Sequence, residues 1–253
     1  MFLKDVELEG LNDSAARALI ARRPVVILPM GAVESHGEHL PAGTDNILAR
    51  RLCVALIERI AGRTPVMLLP IIPFGQVWSL ADQPASFSLT NETIARAVCE
   101  IGLAMKSKGL KALVVVNTHY GNAVVLRDAQ RRLREEGVTM ANFCYPGAAA
   151  PTRRVRETPE AHPSYMHACE IETSYMLHLA PETVDMSKAT VNYPQFPEDF
   201  GELCYRWSEF SNSPVLGDPT AATAEKGRVI LDAVLDRMAE LINNLYSRQL
   251  SER

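Results

Sequence analysis

From Gly31 to Asp45 the chain reads GAVESHGEHLPAGTD, which sets Glu34, His36, Glu38, His39 and Asp45 within a dozen positions. Glu34 and His36 are two residues apart. In extended backbone that spacing puts both side chains on one face, so a carboxylate and an imidazole can converge on one cation. Asp45 stands where a helix is expected to begin, and there it either caps the helix or reaches back to a metal. Mixed imidazole and carboxylate ligation suits zinc, manganese or ferrous iron. No cysteine joins the group, which argues against a purely structural zinc site.

Two further segments carry similar chemistry. The first is Asn117-Thr-His-Tyr-Gly-Asn122. It places His119 directly after an apolar run, the position Glu34 and His36 hold after theirs. The second is His167-Ala-Cys-Glu-Ile-Glu-Thr-Ser174. Read as one helix, it aligns His167, Glu170 and Ser174 on a single face and turns Glu172 to another side. Acids in a first helical turn are also favoured by the helix dipole alone.

The elements that must position these loops alternate along the chain. Asn12 is expected to cap a helix that Pro24 ends. Val25 to Met30, Val66 to Leu69, Ala112 to Val116 and Val138 to Cys144 read as short buried strands. Helices are expected at 46–60, from Thr90 toward Gly109, at 123–136, 168–179 and 223–246. Loops are expected at 70–89, 146–164 and 184–219. Such alternation predicts βαβ crossovers and a mostly parallel sheet covered by helices on both faces, within one domain spanning 1–253. In such sheets ligands bind beyond the carboxyl ends of the strands, where the Glu34–His36 and His119 loops fall.

Composition narrows the classes. Of 253 residues, 26 are Lys or Arg and 30 are Asp or Glu, a net charge of −4 that offers no clustered positive field for nucleic acid. Hydrophobic residues make up 47%, enough for a packed core and too many for a disordered chain. No apolar run approaches the roughly 20 residues of a membrane span, and the N-terminus does not read as a signal peptide. The five scattered cysteines contain no CxxC, which fits reduced thiols in a cytoplasmic protein. Neither GxxxxGK[ST] nor GxGxxG follows a strand, so a nucleotide-binding reading finds little support.

Four segments taken in order, PMGAVESHGEHLPAGTD, NTHYGN, HACEIETS and GDPTAATAEKGR, resemble the creatininase (creatinine amidohydrolase) family. The resemblance implies a three-layer α/β/α fold, one or two divalent ions (Zn, Mn or Fe) per subunit, a small-molecule substrate and a homo-oligomer, commonly a hexamer. It implies that Glu34, His36, Asp45 and His119 are metal ligands, with Asp45 bridging, and that His167 is a catalytic histidine with Glu172 beside it. Tyr120 and Cys169 are expected to touch substrate, and His39 and Asn122 to support the ligands from behind.

The departures from the family pattern shape the expected activity. Gly121 stands where the creatinine enzyme has a glutamate ligand, and Glu170 stands where that enzyme has an apolar residue. The paired loss and gain predict Glu170 as a replacement metal ligand, or failing that a general base. The creatinine enzyme stacks its flat substrate on tryptophans before the catalytic histidine. Residues 145–166 have none, the two tryptophans being Trp78 and Trp207. Arg153, Arg154 and Arg156 in that stretch suit an anionic substrate group. The expectation is therefore a metal-dependent hydrolase cleaving a C–N bond of a cyclic amide or formamide-like compound other than creatinine. The alternatives are a ring-opening hydrolase of a cyclic ketone or lactone, and a non-catalytic metal-binding member of the family.

Overall fold

A computed structural model describes residues 3–60 and 62–251. Four parallel strands form the central sheet: β1 (Val25–Met30), β2 (Val66–Leu68), β3 (Ala112–Asn117) and β4 (Thr139–Phe143), in the order β2-β1-β3-β4. β1 and β3 are buried at every residue, as strands covered on both faces must be. Their β-branched runs suit that place, because stiff side chains pack well on a pleated surface.

Among the described residues, seven α-helices complete the fold: α1 (Asp13–Ala21), α2 (Thr44–Ile60), α3 (Asn91–Lys106), α4 (Ala123–Glu135), α5 (Ala149–Val155), α6 (Glu170–Leu179) and α7 (Ala224–Ser251). Alternate residues of each strand feed two cores. Val25, Ile27, Val114 and Val116 pack with α2, α6 and α7. Val26, Leu28, Leu113 and Val115 pack with α1, α3 and α4. The result is the expected three-layer α/β/α arrangement. Among the described residues, no helix is long and apolar enough to cross a membrane.

Local chemistry sets the helix ends. The Asn12 side chain accepts from the Ala15 amide and starts α1, and Thr90 does the same for α3 through Thr93. Where α6 crosses α7, a Cβ on Gly227 would come within 2.0 Å of the Ser174 carbonyl oxygen, so only glycine permits that approach.

Several expected boundaries differ, α2 starting at Thr44 and α7 running on to Ser251. The 146–164 loop contains the short helix α5. The helix expected from 168 begins at Glu170 instead. His167 lies in an extended bridge with Leu216, and Ala168 adopts φ 49°, a left-handed conformation that an α-helix cannot contain.

The chain runs from β1 through α2 to β2 on one side, then returns to place β3 on the other side of β1. A crevice therefore opens between the carboxyl ends of β1 and β3.

Candidate metal centre

The loops leaving β1 and β3 meet at that crevice, and α6 closes it from the side. Glu34, His36, Asp45, His119, His167 and Glu172 are all buried there. Their ligand atoms form three groups: Glu34 with Asp45 and His119, His36 with Asp45 and Glu172, and Glu34 with His36 and His167. Asp45 belongs to two of them.

The backbone fixes which ring nitrogen of each histidine faces inward. His36 Nδ1 donates to the Glu34 carbonyl at 3.1 Å. His119 Nε2 donates to the Gln76 carbonyl at 2.7 Å, and His167 Nδ1 to the Pro214 carbonyl at 2.6 Å. A histidine whose outer N–H is spent on a carbonyl presents its other nitrogen in a set direction, the usual support for a metal ligand. Asn122 reinforces His119: its amide donates to Gly31 and Asn117, and its oxygen accepts from the Gln76 amide.

The inner atoms fit cations better than they fit one another. His36 Nε2 is buried without a hydrogen-bond partner. It stands 3.9 Å from Glu34 Oε1, 3.8 Å from Asp45 Oδ1 and 3.8 Å from Glu172 Oε2. Two atoms each roughly 2.1 Å from one ion stand about 3–4 Å apart. Asp45 Oδ2 is likewise buried without a hydrogen bond, although His119 Nδ1 lies 3.2 Å away. Glu34 Oε1 is 3.0 Å from both His119 Nδ1 and His167 Nε2.

Electrostatics points the same way. Burial alone would raise the Glu34 pKa, but His119 and His167 outweigh it and hold the carboxyl well below its usual range. Burial disfavours a charged His167, yet Glu34, Glu172 and Asp45 push its pKa up to about 9. Three carboxylates here call for positive charge, which imidazole protons or divalent cations can supply.

The structure places Glu170 apart from these groups. Its carboxylate accepts from the amides of Glu157 and Thr158, from the Thr158 hydroxyl at 2.6 Å and from Lys226 Nζ at 2.7 Å. It therefore ties the 157–158 loop and α7 to the start of α6, outside the three ligand groups. The reason is helix phase. Because α6 starts at Glu170, helical spacing does not relate that residue to His167, and Glu172 is the acid that faces the crevice.

Glu172 makes its own hydrogen bond to the backbone at the start of α6. It does not orient the His167 ring, whose nitrogens meet Pro214 and Glu34. Its Oε2 accepts from the Ala168 amide at 2.5 Å and faces His36. A sequence signal for this existed: with Cys169 capping the helix, Glu172 is the third helical residue, where a glutamate reaches back over the N-terminus. Gly121 could not carry the missing carboxylate, since even a Cβ would lie 2.3 Å from both His119 Nε2 and the Gln76 carbonyl oxygen.

The remaining expected residues fall nearby. His39 Nε2 meets the Thr173 hydroxyl at 3.0 Å, and burial together with His36 pushes its pKa down to about 4. Tyr120 is half exposed at the crevice, and burial of its hydroxyl end, with Cys144, Glu172 and Cys169 nearby, raises its pKa. Cys169 is buried at the start of α6. Sequence reasoning missed the Gln76 and Pro214 carbonyls, which are backbone groups and leave no residue-type signal. It also left Trp207 unplaced. That ring lies 5.4 Å from His167, centroid to centroid, and its Nε1 donates to the Ser213 carbonyl. Trp207 belongs to a segment latched by its neighbours: the Arg206 guanidinium sits 4.3 Å over the Trp78 ring, and Ser208 bonds Asp82.

Lys226 is the buried cation of the GDPTAATAEKGR segment, and its pairing with Glu170 carries a testable consequence. Lys226→Met leaves the Glu170 charge buried without its ion partner and is expected to cost about 3 kcal/mol of stability. Urea unfolding of the variant checks this; a loss under about 1 kcal/mol would show that the amides and Thr158 suffice.

A three-layer parallel α/β sheet with a buried imidazole and carboxylate cluster at its switch point defines the class of α/β proteins with a candidate metal centre, and comparison with known proteins identifies the family. The Creatininase family model, described as creatinine amidohydrolase, matches residues 9–242. The chain belongs to the creatininase family and is a hydrolase of that family. It is 30% identical over 248 residues to a mycofactocin precursor peptide peptidase of Mycobacterium ulcerans (strain Agy99), covering 95% of this chain and 90% of that protein. It is 26% identical to the creatinine amidohydrolase of Pseudomonas putida, covering 88% and 90%. A solved creatinine amidohydrolase (creatininase) superposes with a TM-score of 0.82 at 26% identity, covering 95% and 98%. Another, described as creatininase Mn, gives 0.79 at 25% over the same shares.

Proposed function

We propose that this protein is a two-metal hydrolase that cleaves an amide-type C–N bond. The observation that carries the reading is the pair of buried, unbonded inner atoms, His36 Nε2 and Asp45 Oδ2, among three carboxylates. Glu34, Asp45 and His119 would hold one ion, and His36, Asp45 and Glu172 the other, with Asp45 between them. Zinc and manganese both suit this donor set, and ferrous iron is chemically similar. Bound there, such ions supply the Lewis acidity that makes water a nucleophile near neutral pH and polarises a carbonyl.

The chain's own groups do the rest. The Gln76 carbonyl and the Glu34 backbone hold the His119 and His36 rings in place before substrate arrives. His167 carries a proton on Nε2 for the departing nitrogen. Its Nδ1–H stays on Pro214, so the ring transfers that proton without turning. Trp207 covers the same ring and keeps water from its flank.

Two of the relatives, a peptide peptidase and a creatinine amidohydrolase, support an amide substrate and widen its range. The cyclic or formamide-like compound expected from sequence is one form, and an open-chain amide is another, since one relative is named a peptide peptidase. Creatinine remains disfavoured: 145–166 lacks the stacking tryptophans, and Trp207 is spent on covering His167.

His167→Gln tests the assignment. Turnover is expected to fall by roughly 10²–10⁴-fold with zinc content unchanged. Elemental analysis on the same preparation decides: if metal is lost with activity, His167 is a ligand of the third group and not the proton carrier.

A further inference from the structure

Building on that reading, we propose that Asn192 is a positioning residue for His167: its side-chain amide holds the Pro214 peptide in place, and with it the direction in which the imidazole presents Nε2. The Pro214 carbonyl accepts the His167 Nδ1–H at 2.6 Å. A carbonyl in a loop can turn away, and three contacts stop this one. The Pro214 C=O and the Val215 N–H belong to one planar peptide unit. Ser213 Oγ accepts that N–H at 3.2 Å, so the carbonyl points the opposite way, toward His167. The carbonyls on either side are taken as well. Ser213 O accepts from Ser211 Oγ at 2.7 Å and from Trp207 Nε1 at 3.0 Å. Val215 O accepts from Asn192 Nδ2 at 2.6 Å. The same amide nitrogen donates to Ser211 Oγ at 3.0 Å, so one side chain ties both flanks of Pro214 together. Both partners demand a donor: a carbonyl only accepts, and the Ser211 hydroxyl proton is already spent on Ser213.

The backbone repeats the link. Asn192 and Gly217 exchange both main-chain hydrogen bonds, at 2.9 and 2.7 Å, and the Leu216 amide donates to the His167 carbonyl at 2.9 Å. The 215–217 segment thus runs between Asn192 and His167, bridged to the first through Gly217 and to the second through Leu216. Val215 and Ser211 are both buried. A carbonyl left there without its donor is costly, and turning the peptide to reach water withdraws Pro214 from the ring. His167 Nε2 stands 3.0 Å from Glu34 Oε1, so a ring that loses its outer anchor can also shift within the crevice. Misplacing a reacting group by about 1 Å costs up to roughly 10²-fold in rate. Asn192 therefore acts on the reaction through His167, without touching substrate or the ligand groups.

The His167 Nδ1–H is the readout, assigned in proton spectra by its absence from His167→Gln. Zinc-loaded wild type is expected to show it downfield and protected from exchange with water. In Asn192→Ala it should exchange about tenfold faster, as the loss of one net hydrogen bond implies. Asn192→Asp keeps the shape but turns an acceptor toward the Val215 carbonyl, and should have the larger effect. The ring N–H protons of His36 and His119, which bond other carbonyls, should not change. On any amide that wild type hydrolyses, kcat of Asn192→Ala should fall by roughly 10- to 100-fold at unchanged KM and zinc content. A His167 Nδ1–H missing from wild type, or unchanged in both variants, overturns the proposal. So does one that quickens only in step with those of His36 and His119, or together with loss of zinc. Should neither variant fold, exchange in wild type decides: the Nδ1–H is expected to open together with the Leu216 and Gly217 amides, and an earlier opening overturns the proposal. Turnover separates this inference from the reading beneath it. Equal kcat in wild type and Asn192→Ala would sink the positioning role and leave the hydrolase standing. An Asn192-dependent Nδ1–H in a protein that hydrolyses no amide would keep the positioning role and sink the C–N reading.

Discussion

Removing divalent ions with a chelator is expected to abolish turnover and to lower the thermal midpoint by about 10 °C or more. The stabilisation follows from mass action. An ion that binds only the folded state, present at about a thousand times its dissociation constant, adds about 4 kcal/mol. For a chain of this size each kcal/mol moves the midpoint by roughly 2–4 °C. The structural basis is the crowding of Glu34, Asp45 and Glu172 in a buried site where His36 Nε2 faces all three at 3.8–3.9 Å. Cations relieve that repulsion in the folded state, whereas the unfolded chain separates the three groups in water. Calorimetry before chelation, after it, and after addition of zinc or manganese makes the comparison. An unchanged midpoint, or activity that survives chelation, would reject the two-metal reading.

Glu172→Gln and Glu170→Gln are expected to diverge. The first removes a charge from the ion position shared with His36 and Asp45, so that ion should be lost while the one at Glu34, Asp45 and His119 stays. Turnover should fall by roughly 10³-fold, because the Lewis-acid contribution of an ion is several kcal/mol and each tenfold is about 1.4. Glu170→Gln should retain both ions, since its carboxylate is taken by Thr158, Glu157 and Lys226. Metal content and kcat measured side by side give the answer. Metal loss in Glu170→Gln but not in Glu172→Gln would restore the arrangement expected from spacing alone.

That reversal shows where residue order stops being informative. Helical spacing relates two side chains only when both lie in the same helix. His167 is bridged to Leu216, and Ala168 is left-handed, so the helical register starts two residues later than the segment suggests. Whether a residue near a helix start is extended or helical depends on what it docks against, here the bridge with Leu216, which is remote in the chain. The N3 position of Glu172 was readable once the start of α6 was known.

Much else lay in the local chemistry of the chain. The β-branched runs of β1 and β3, the caps at Asn12 and Thr90, and the alternation of strand with helix specify a parallel sheet because each is a short-range preference. The same holds for the loops that follow β1 and β3, where Glu34, His36 and His119 come together as their places at the strand ends suggest. Long-range contacts settled the rest. The carbonyls of Gln76 and Pro214, which orient His119 and His167, are backbone groups with no identity to read. Trp207 reaches His167 only because the 206–208 segment is latched to Trp78 and Asp82. Pairings of this kind depend on how distant segments pack, and no local preference of the residues involved encodes them.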